Sequence, residues 1–410
     1  MARELDRAVD VVLFGASGFV GRLTAAHLAA HAPAGTRIAL AGRSRERLAA
    51  VARDLGPVAA DWPLVVADAA DEASLRTLAE STHVVVSTVG PYLRHGLPLV
   101  QACARAGTHY ADLTGEVLFV RRSIDTAEET ARASGARIVH SCGFDSVPSD
   151  LAVLLAHEWA RAQGAGPLAS ATLEVMSVRG GFSGGTVDSL RLQLDTARRD
   201  ERARALVADP YALSPDRAGE PDLGRQPDAF APHRRAATGD WVAPFVMASY
   251  NTRVVRRSNA LQGHAYGPRL RYTEVMAFSG RTAALRAGAV TGVLAGLTGL
   301  LAVEPLRPLL DRLLPSPGTG PGERTRRTGR FRLRLDARTE SGRRTGVTVA
   351  AHGDPGYAAT AVMLGESALA LALDEDRLPA GAGVLTPATG IGTPLVDRLR
   401  RRGFTLDVTD

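Results

Sequence analysis

A short apolar segment that breaks into a glycine-rich turn constrains the fold of this chain most. Residues 10–22 read D-V-V-L-F-G-A-S-G-F-V-G-R, and an alanine-rich stretch follows to His31. The pattern predicts a strand, a turn and a helix whose N-terminal N–H groups hold a pyrophosphate. Gly15 permits the tight turn, Gly18 lets the backbone approach the phosphates, and Gly21 lets the helix pack on the strand. The spacing differs from the commoner G-x-G-x-x-G, so an ordinary strand-to-helix turn is the alternative.

The composition excludes several kinds of chemistry. The chain has 410 residues, which favours two domains, and its net charge is +6. All 49 basic side chains are arginines, because the sequence contains no lysine. This excludes a lysine Schiff base, a Walker-type phosphate loop and the Tyr-x-x-x-Lys pair of short-chain dehydrogenases. The arginines are scattered and aromatic residues make up only 5%, so we expect no nucleic-acid binding.

Cysteine usage and the N-terminus indicate a cytoplasmic protein. Cys103 and Cys142 belong to no pairing motif, and we expect both to be reduced thiols. The sequence shows no Cys/His cluster with metal-ligand spacing, so no metal is expected. Residues 1–8 are charged and lack the apolar core that is typical of a signal peptide.

Strands and helices alternate over the first third of the chain. After the first strand, further strands are predicted at residues 36–41, 64–67, 84–87, 109–111 and 137–141, with helices between them. The apolar segment 84–87 is typical of a strand buried on both faces. The alternation predicts an α/β fold, a Rossmann-type doubly wound parallel sheet, over residues 1–150.

The end of the second strand indicates which dinucleotide binds. An NAD site is expected to place an acidic residue there, whereas this chain reads Gly42, Arg43, Ser44. Arg43 can bind a phosphate with two N–H groups and Ser44 can donate to it, which favours NADPH, although a solvated Arg43 is the alternative. The predicted cofactor-binding residues are Gly15, Ser17, Gly18, Phe19, Val20, Gly21, Arg43, Ser44, Asp68, Val89, Gly90 and Pro91.

The turn after the fourth strand supplies the first catalytic candidates. It lies at the carboxyl end of a central strand, where we expect the nicotinamide half of the cofactor. Tyr92 and His95 in this turn, and Cys142 after the sixth strand, are the predicted catalytic residues. Tyr92 could equally be a packing residue. Asp112 could cap a turn or face the cleft, and Asp145 could shape the cleft.

Beyond residue 166 the pattern changes to that of a second domain, predicted over residues 151–356. A second glycine-rich turn at 180–186 precedes a helix to about residue 206, and it could present N–H donors or serve only domain packing. Residues 207–245 are rich in proline, glycine and aspartate and predict a lid or an irregular arm. Residues 331–339 and 344–351 alternate around Ser341 and Gly342, which predicts a hairpin.

The run Ala287–Val303 has 17 residues without a charge and lies between Arg286 and Glu304. A membrane-spanning helix needs about 20 residues, so the run is at the lower edge of that length. We expect a buried helix first, a helix docked on a membrane surface second and a spanning helix third.

Several motifs, in their order along the chain, resemble those of one family. They are the Gly15–Gly21 turn, V-G-P-Y at 89–92, D-L-T-G-E at 112–116, G-F-D-S-V-P-S-D at 143–150, G-G-T at 184–186 and D-P-G-Y at 354–357. This set resembles the saccharopine dehydrogenase-like oxidoreductases, and within them the trans-acting enoyl reductases of actinobacteria. The family's saccharopine dehydrogenases use a lysine for acid/base chemistry, and this chain has none, so amino-acid C–N chemistry is disfavoured.

The resemblance implies a function and an architecture. It implies an NADPH-dependent reductase that removes a double bond from an acyl chain made by a polyketide synthase, in lipid or glycolipid assembly. The implied substrate is an acyl thioester, carried on a synthase domain. Apart from the resemblance, we expect a homodimer in the cytoplasm, and the apolar run at 287–303 adds the expectation of peripheral contact with the inner face of the plasma membrane. It also implies a second α+β domain with a mixed sheet, and C-terminal helices and a strand (357–410) that pack back on the first domain.

The mechanism that we infer is hydride delivery to the β-carbon of an enoyl thioester. The enolate oxygen would need donors, for which Gly184–Thr186 and Tyr92 are candidates. A proton must reach the α-carbon, and Tyr92, His95, Tyr110 or Cys142 could supply it. Two alternatives remain at this point, a reductase of another activated double bond or imine, and a non-catalytic NADP-binding sensor or membrane-docked scaffold.

Overall fold

Two seven-stranded sheets organise the chain. The computed structural model describes residues 7–180, 184–226, 228, 231–235, 239–302 and 320–410. The strands are β1 (Val9–Phe14), β2 (Ile38–Gly42), β3 (Leu64–Val66), β4 (Thr82–Ser87), β5 (His109–Asp112), β6 (Arg137–Val139), β7 (Leu168–Arg179), β8 (His233–Arg234), β9 (Trp241–Pro244), β10 (Arg271–Phe278), β11 (Arg330–Thr339), β12 (Arg344–His352), β13 (Gly383–Leu385) and β14 (Thr405–Thr409).

The helices of the first domain alternate with its strands, as the sequence predicts. They are α1 (Phe19–His31), α2 (Arg45–Leu55), α3 (Glu72–Glu80), α4 (Tyr92–His95), α5 (Leu97–Ala106) and α6 (Val117–Ser134). Capping residues set where they begin. For example, the Asp71 carboxylate accepts from the N–H groups of Ala73 and Ser74 at the start of α3.

The later helices belong to the second domain and the C-terminal part. They are α7 (Val147–Ala162), α8 (Gly184–Arg199), α9 (Glu201–Ala208), α10 (Ala248–Leu261), α11 (Ala283–Ala302), α12 (Glu323–Thr328), α13 (Thr360–Leu373), α14 (Pro387–Gly390) and α15 (Thr393–Arg401). A π-helical turn, Pro355–Ala359, leads into α13.

The first sheet is parallel throughout, in the order β13-β6-β5-β4-β1-β2-β3. This confirms the predicted Rossmann-type fold. The strand order reverses at β1, which lies between β2 and β4, so the ligand cleft is expected above the carboxyl ends of β1 and β4. Helix N-termini and loops from both domains meet at that edge.

The second sheet is mixed, in the order β14-β12-β11-β7-β10-β9-β8. Strands β7 and β10 are parallel and the other pairs are antiparallel. The predicted hairpin is confirmed as β11 and β12, because every second side chain of each strand is buried. The mixed second sheet is therefore also as predicted.

The C-terminal part returns to both sheets. Helix α13 packs on α1, and β13 pairs with β6 at the edge of the first sheet, which confirms the predicted return. The last strand, β14, instead pairs with β12 of the second sheet, so the prediction that it packs on the first domain is wrong. The reason is that Leu406 is buried in register with Val349, in the core under the second sheet.

Residues 207–213, the start of the predicted lid or arm, are held by helix α10, which the sequence did not predict. Arg253 donates to the carbonyls of Val207 and Asp209, and Arg257 donates to the carbonyl of Leu213. These contacts make residues 207–213 an anchored arm. Because arginines occupy the buried side of α10, its apolar periodicity is weak in the sequence.

Two described helices are long and apolar enough to cross a membrane by length and composition, Ala283–Leu300 and Pro355–Leu373. The second is 72% buried and is a core helix, whereas the first is only 11% buried. The first expectation for the apolar run, a buried helix, is therefore wrong for the run as far as Leu300. Val303 lies outside the described residues.

Candidate active site

The glycine turn after β1 accepts no side chain at two of its positions. Gly15 has a φ of +86°, and a Cβ there would lie 2.7 Å from Thr88 Oγ1. A Cβ at Gly21 would lie 2.2 Å from the Gly15 carbonyl oxygen. Gly18 begins α1 without a side-chain cap, so the first N–H groups of the helix are left to a ligand. The turn therefore fits a dinucleotide pyrophosphate.

The end of β2 fits a phosphate rather than a ribose hydroxyl. Arg43 is exposed, and the Ser44 hydroxyl accepts from the Arg47 N–H at 3.3 Å, so its own hydrogen can still be donated. Asp68 follows β3, and its carboxylate accepts from the Ala70 N–H at 3.0 Å, which fixes that loop. These residues match the 2′-phosphate end of NADPH.

The loop after β4 borders the glycine turn. Thr88 Oγ1 donates to the Gly15 carbonyl at 3.1 Å, and Val89 Cγ2 lies 2.8 Å from the position of a Cβ on Gly15. Gly90 and Pro91, joined by a cis peptide bond, continue this loop. The predicted cofactor-binding residues thus surround one edge of the sheet, and their contacts with the cofactor stay a prediction.

Replacing Arg43 with alanine is expected to weaken NADPH binding about 10- to 100-fold, because hydrogen bonds to a charged phosphate are lost. Affinity for NADH, which has no 2′-phosphate, should not change. Isothermal titration calorimetry with both dinucleotides measures this, and Arg47→Ala, which alters an exposed arginine of the following helix α2, is the control. Equal losses for both dinucleotides would contradict the assignment.

Tyr92 is a packing residue. It is buried, its hydroxyl donates to the Ser87 carbonyl at 2.9 Å and accepts from the Leu113 N–H at 3.2 Å. Its ring stacks on Phe119 with the centroids 5.6 Å apart. The hydroxyl is therefore occupied in joining β4 to the loop after β5, and the prediction that it faces substrate is wrong.

Cys142 and Tyr110 lie inside the core. The Cys142 thiol donates to the Val139 carbonyl, and burial raises its pKa. Tyr110 is fully buried. The predictions that these two groups supply the proton are therefore not supported. Burial lowers the pKa of His95, and the positive charges of Arg94 and Arg43 lower it further. The catalytic role of His95 stays a prediction.

A buried network joins the ends of β5 and β6. Asp112 accepts from the Ser141 N–H at 2.9 Å and contacts His140 Nδ1 at 2.8 Å, while His140 Nε2 contacts Ser123 Oγ at 2.8 Å. Asp112 thus has a structural role. The network holds Ser141 at a φ of 67°, where its hydroxyl meets the Tyr250 hydroxyl of α10 at 2.5 Å. No sequence pattern pointed to Tyr250, because α10 was not predicted.

Helix α8 of the second domain closes over the same edge. The Glu116 carboxylate accepts from the N–H groups of Tyr92 and Leu93 and from the Ser189 hydroxyl of α8 at 2.6 Å. Burial raises the pKa of Glu116. Gly184–Thr186 form the first turn of α8, and residues 181–183 of the glycine-rich turn lie outside the described residues, so their role as donors stays a prediction.

Asp145 is a partly buried acid at this edge. It follows β6 and is half-buried, and its Oδ2 lies 3.8 Å from the position of a Cβ on Gly115, beside the Met247 methyl group. Burial raises the pKa of Asp145 to about 6. A carboxyl group with this pKa is half protonated at about pH 6, so it can serve as a proton donor in weakly acidic to neutral solution.

Comparisons with known proteins identify the family and its cofactor. Residues 11–139 match the model of the saccharopine dehydrogenase NADP binding domain. Proteins named trans-acting enoyl reductase from Mycobacterium ulcerans and Mycobacterium tuberculosis are each 48% identical, with 98% of both chains covered. The cofactor of this chain is therefore NADP(H), and the protein is an oxidoreductase.

A solved structure shows the same fold. It is the apo, histidine-tagged saccharopine dehydrogenase (L-Glu forming) from Saccharomyces cerevisiae, which matches with a TM-score of 0.57. The match covers 98% of this chain and 99% of that chain, at 14% sequence identity. At this identity the likeness concerns the arrangement of the two sheets and not the substrate.

Proposed function

The chain belongs to the trans-acting enoyl reductase branch of the saccharopine dehydrogenase-like oxidoreductases, and we propose that it reduces the C=C bond of an enoyl thioester. NADPH, when bound, supplies the hydride that is added to the β-carbon. The observation that carries the proposal is the position of Asp145, an acid near pKa 6 at the carboxyl end of β6. It lies on the side of β4 where the nicotinamide half of a dinucleotide is expected.

The residues of the first domain would hold the cofactor by its phosphates. The N-terminus of α1 would bind the pyrophosphate, and Arg43 and Ser44 would bind the 2′-phosphate. Thr88 and Val89 pack against Gly15, so they would fix the position of the glycine turn relative to the loop after β4. The cofactor is thereby oriented along the edge of the sheet before substrate enters.

Asp145 would complete the addition of two hydrogens. After hydride addition, the negative charge of the thioester enolate is neutralised when the Asp145 proton bonds to the α-carbon. The carboxylate that remains is half-exposed, so it takes a new proton from solvent. The Ser141–Tyr250 pair, held by Asp112, would fix the wall of the cleft on which Asp145 lies.

The substrate that we propose is an acyl chain on a carrier domain of a polyketide synthase, in lipid or glycolipid assembly. The relatives named trans-acting enoyl reductase support this assignment. The chain contains no lysine, which disfavours the amino-acid chemistry named for the yeast structure. The cytoplasm, where NADPH is available, is the proposed location.

A substrate panel tests this function. The purified protein is mixed with NADPH and, in separate reactions, with 2-enoyl thioesters on a carrier domain, the saturated thioesters, a cyclic enone and an imine. Oxidation of NADPH is followed by its absorbance, and the acyl product by mass spectrometry. We expect turnover with the enoyl thioesters and a product two mass units heavier, reflecting the two added hydrogens. Turnover of only the imine or the enone would refute the proposal.

A further inference from the structure

Helix α11 is apolar and exposed. Its residues 287–302 carry no charged side chain, and only 11% of Ala283–Leu300 is buried. Leu285 and Val293 are 74% and 70% exposed. One side of the helix packs on β9 and β10, and in the described part of the chain most of its other side chains up to Leu300 are exposed or half-buried. Such a surface is unusual for a protein that remains fully in water.

A row of arginines lies on the same face of the second sheet. Alternate residues of β11 are exposed, namely Arg330, Arg332, Arg334 and Arg338. The side chains of Arg334 on β11 and Val275 on β10 point to the same face of the sheet, because both residues pair with Glu174 of β7, the strand between them. Val275 and Ala277 form a cluster with Val242 apart from the main core, and α11 packs on the strands that carry them. The helix and the arginines therefore share the outer face of the sheet.

This face is positively charged. Arg271 and Arg344 add to the row from β10 and β12, and both are exposed. The acids on the face are Glu174, Asp336 and Asp407, and Arg235 forms ion pairs with the first two. The seven arginines named on this face outnumber its three named acids, so the face keeps a net positive charge.

We propose that the outer face of the second sheet, with α11, docks on an anionic lipid bilayer. Helix α11 would lie in the boundary between headgroups and acyl chains, and the arginines would contact the anionic headgroups. An acidic carrier domain would match the arginines but would not cover an apolar helix of 20 residues. A bilayer matches both features of the face. The docking is independent of the proposed reaction, although it would bring the site to long acyl chains.

Vesicle flotation tests this docking with the full-length protein. Vesicles of phosphatidylcholine, with and without phosphatidylglycerol, are the probe. We expect strong binding only with phosphatidylglycerol, weakened by salt. The variant Arg332→Glu/Arg334→Glu/Arg338→Glu should bind about a hundredfold more weakly, since each arginine near an anionic surface contributes about tenfold or less. Leu285→Asp/Val293→Asp should lose binding as well, because the apolar surface is interrupted.

Matched variants on the first domain are the controls. Val58→Asp/Val66→Asp replaces aliphatic side chains that are 54% and 53% exposed, and Arg53→Glu/Arg76→Glu/Arg105→Glu reverses three exposed arginines. Both control variants should float as the unaltered protein does. The docking variants, in turn, should reduce a short soluble enoyl thioester at the same rate as the unaltered protein. The docking proposal would be overturned if the docking and control variants lost vesicle binding equally, or if the unaltered protein did not float. It would also be overturned if α11 captured a carrier domain or a second copy of this chain instead of vesicles. Failure of the reductase assay alone would refute only the proposed function.

Discussion

Replacing Asp145 with asparagine is expected to lower kcat for an enoyl thioester by about 100- to 10,000-fold, the usual contribution of a general acid. Asparagine has nearly the same shape and cannot release a proton, so the affinity for NADPH should be unchanged. Steady-state kinetics and calorimetric titration of the cofactor measure the two effects. Asp61→Asn, which alters an exposed aspartate of the first domain, is the control.

The pH profile separates a proton donor from a residue that only shapes the cleft. The acid must be protonated to act, and the pKa of Asp145 is raised to about 6 by burial. We therefore expect kcat/KM to be constant at low pH and to fall as the pH rises through about 6. The Asp145→Asn variant should lose this dependence. Full turnover by the variant, or an unaltered profile, would show that another group supplies the proton.

Replacing Glu366 with alanine is expected to lower the free energy of unfolding by about 3–5 kcal/mol, the cost of breaking a buried ion pair. The Glu366 carboxylate on α13 contacts His27 Nε2 at 2.9 Å and accepts from Arg402 at 2.6 Å and Arg398 at 3.4 Å. It thus joins α13 and the last helix to α1, immediately after the glycine turn. The variant leaves Arg398 and His27 buried without this partner.

The pH dependence of this loss has a definite sign. Burial alone would raise the pKa of Glu366, but the hydrogen bonds from His27 and Arg402 outweigh it, and the net pKa is lowered. A carboxyl group with a lowered pKa stabilises the fold above the pKa of the unfolded chain, about 4.3 for glutamate. This contribution to stability is lost as the pH falls through the pKa of Glu366 in the folded protein.

Urea denaturation at neutral and acidic pH measures this stability. The difference in the free energy of unfolding between the unaltered protein and Glu366→Ala should become smaller at acidic pH. Glu375→Ala, at an exposed glutamate of the same region, should unfold as the unaltered protein does at both pH values. A small difference in the free energy of unfolding at neutral pH would show that the network around Glu366 contributes little to stability.

Strong local patterns made most of the first domain predictable. The alternation of apolar strands and helices and the Gly15–Gly21 turn gave the parallel sheet, because both follow from spacing along the chain. The hairpin of β11 and β12 was predictable for the same reason. Strand β13 has only three residues and no pattern of its own, so its place beside β6 depends on tertiary pairing.

The cofactor end of the site was easier to predict than the catalytic end. The glycine turn and Arg43 are contiguous with strands that the sequence predicts. The catalytic end combines the loops after β5 and β6 with α10, which are distant in sequence. Residue type alone favoured Tyr92, His95 and Cys142, and only the three-dimensional contacts show that Tyr92 and Cys142 are engaged internally.

We propose that the β-carbon receives hydride from NADPH and the α-carbon receives a proton from the protein. Two labelled reactions distinguish these sources: one with NADPH that carries deuterium at both C4 positions of the dihydronicotinamide, and one in D2O with unlabelled NADPH. NMR and mass spectrometry of the product are expected to show deuterium at the β-carbon in the first reaction and at the α-carbon in the second. Product without deuterium from NADPH, or with that deuterium at the α-carbon, would contradict the account.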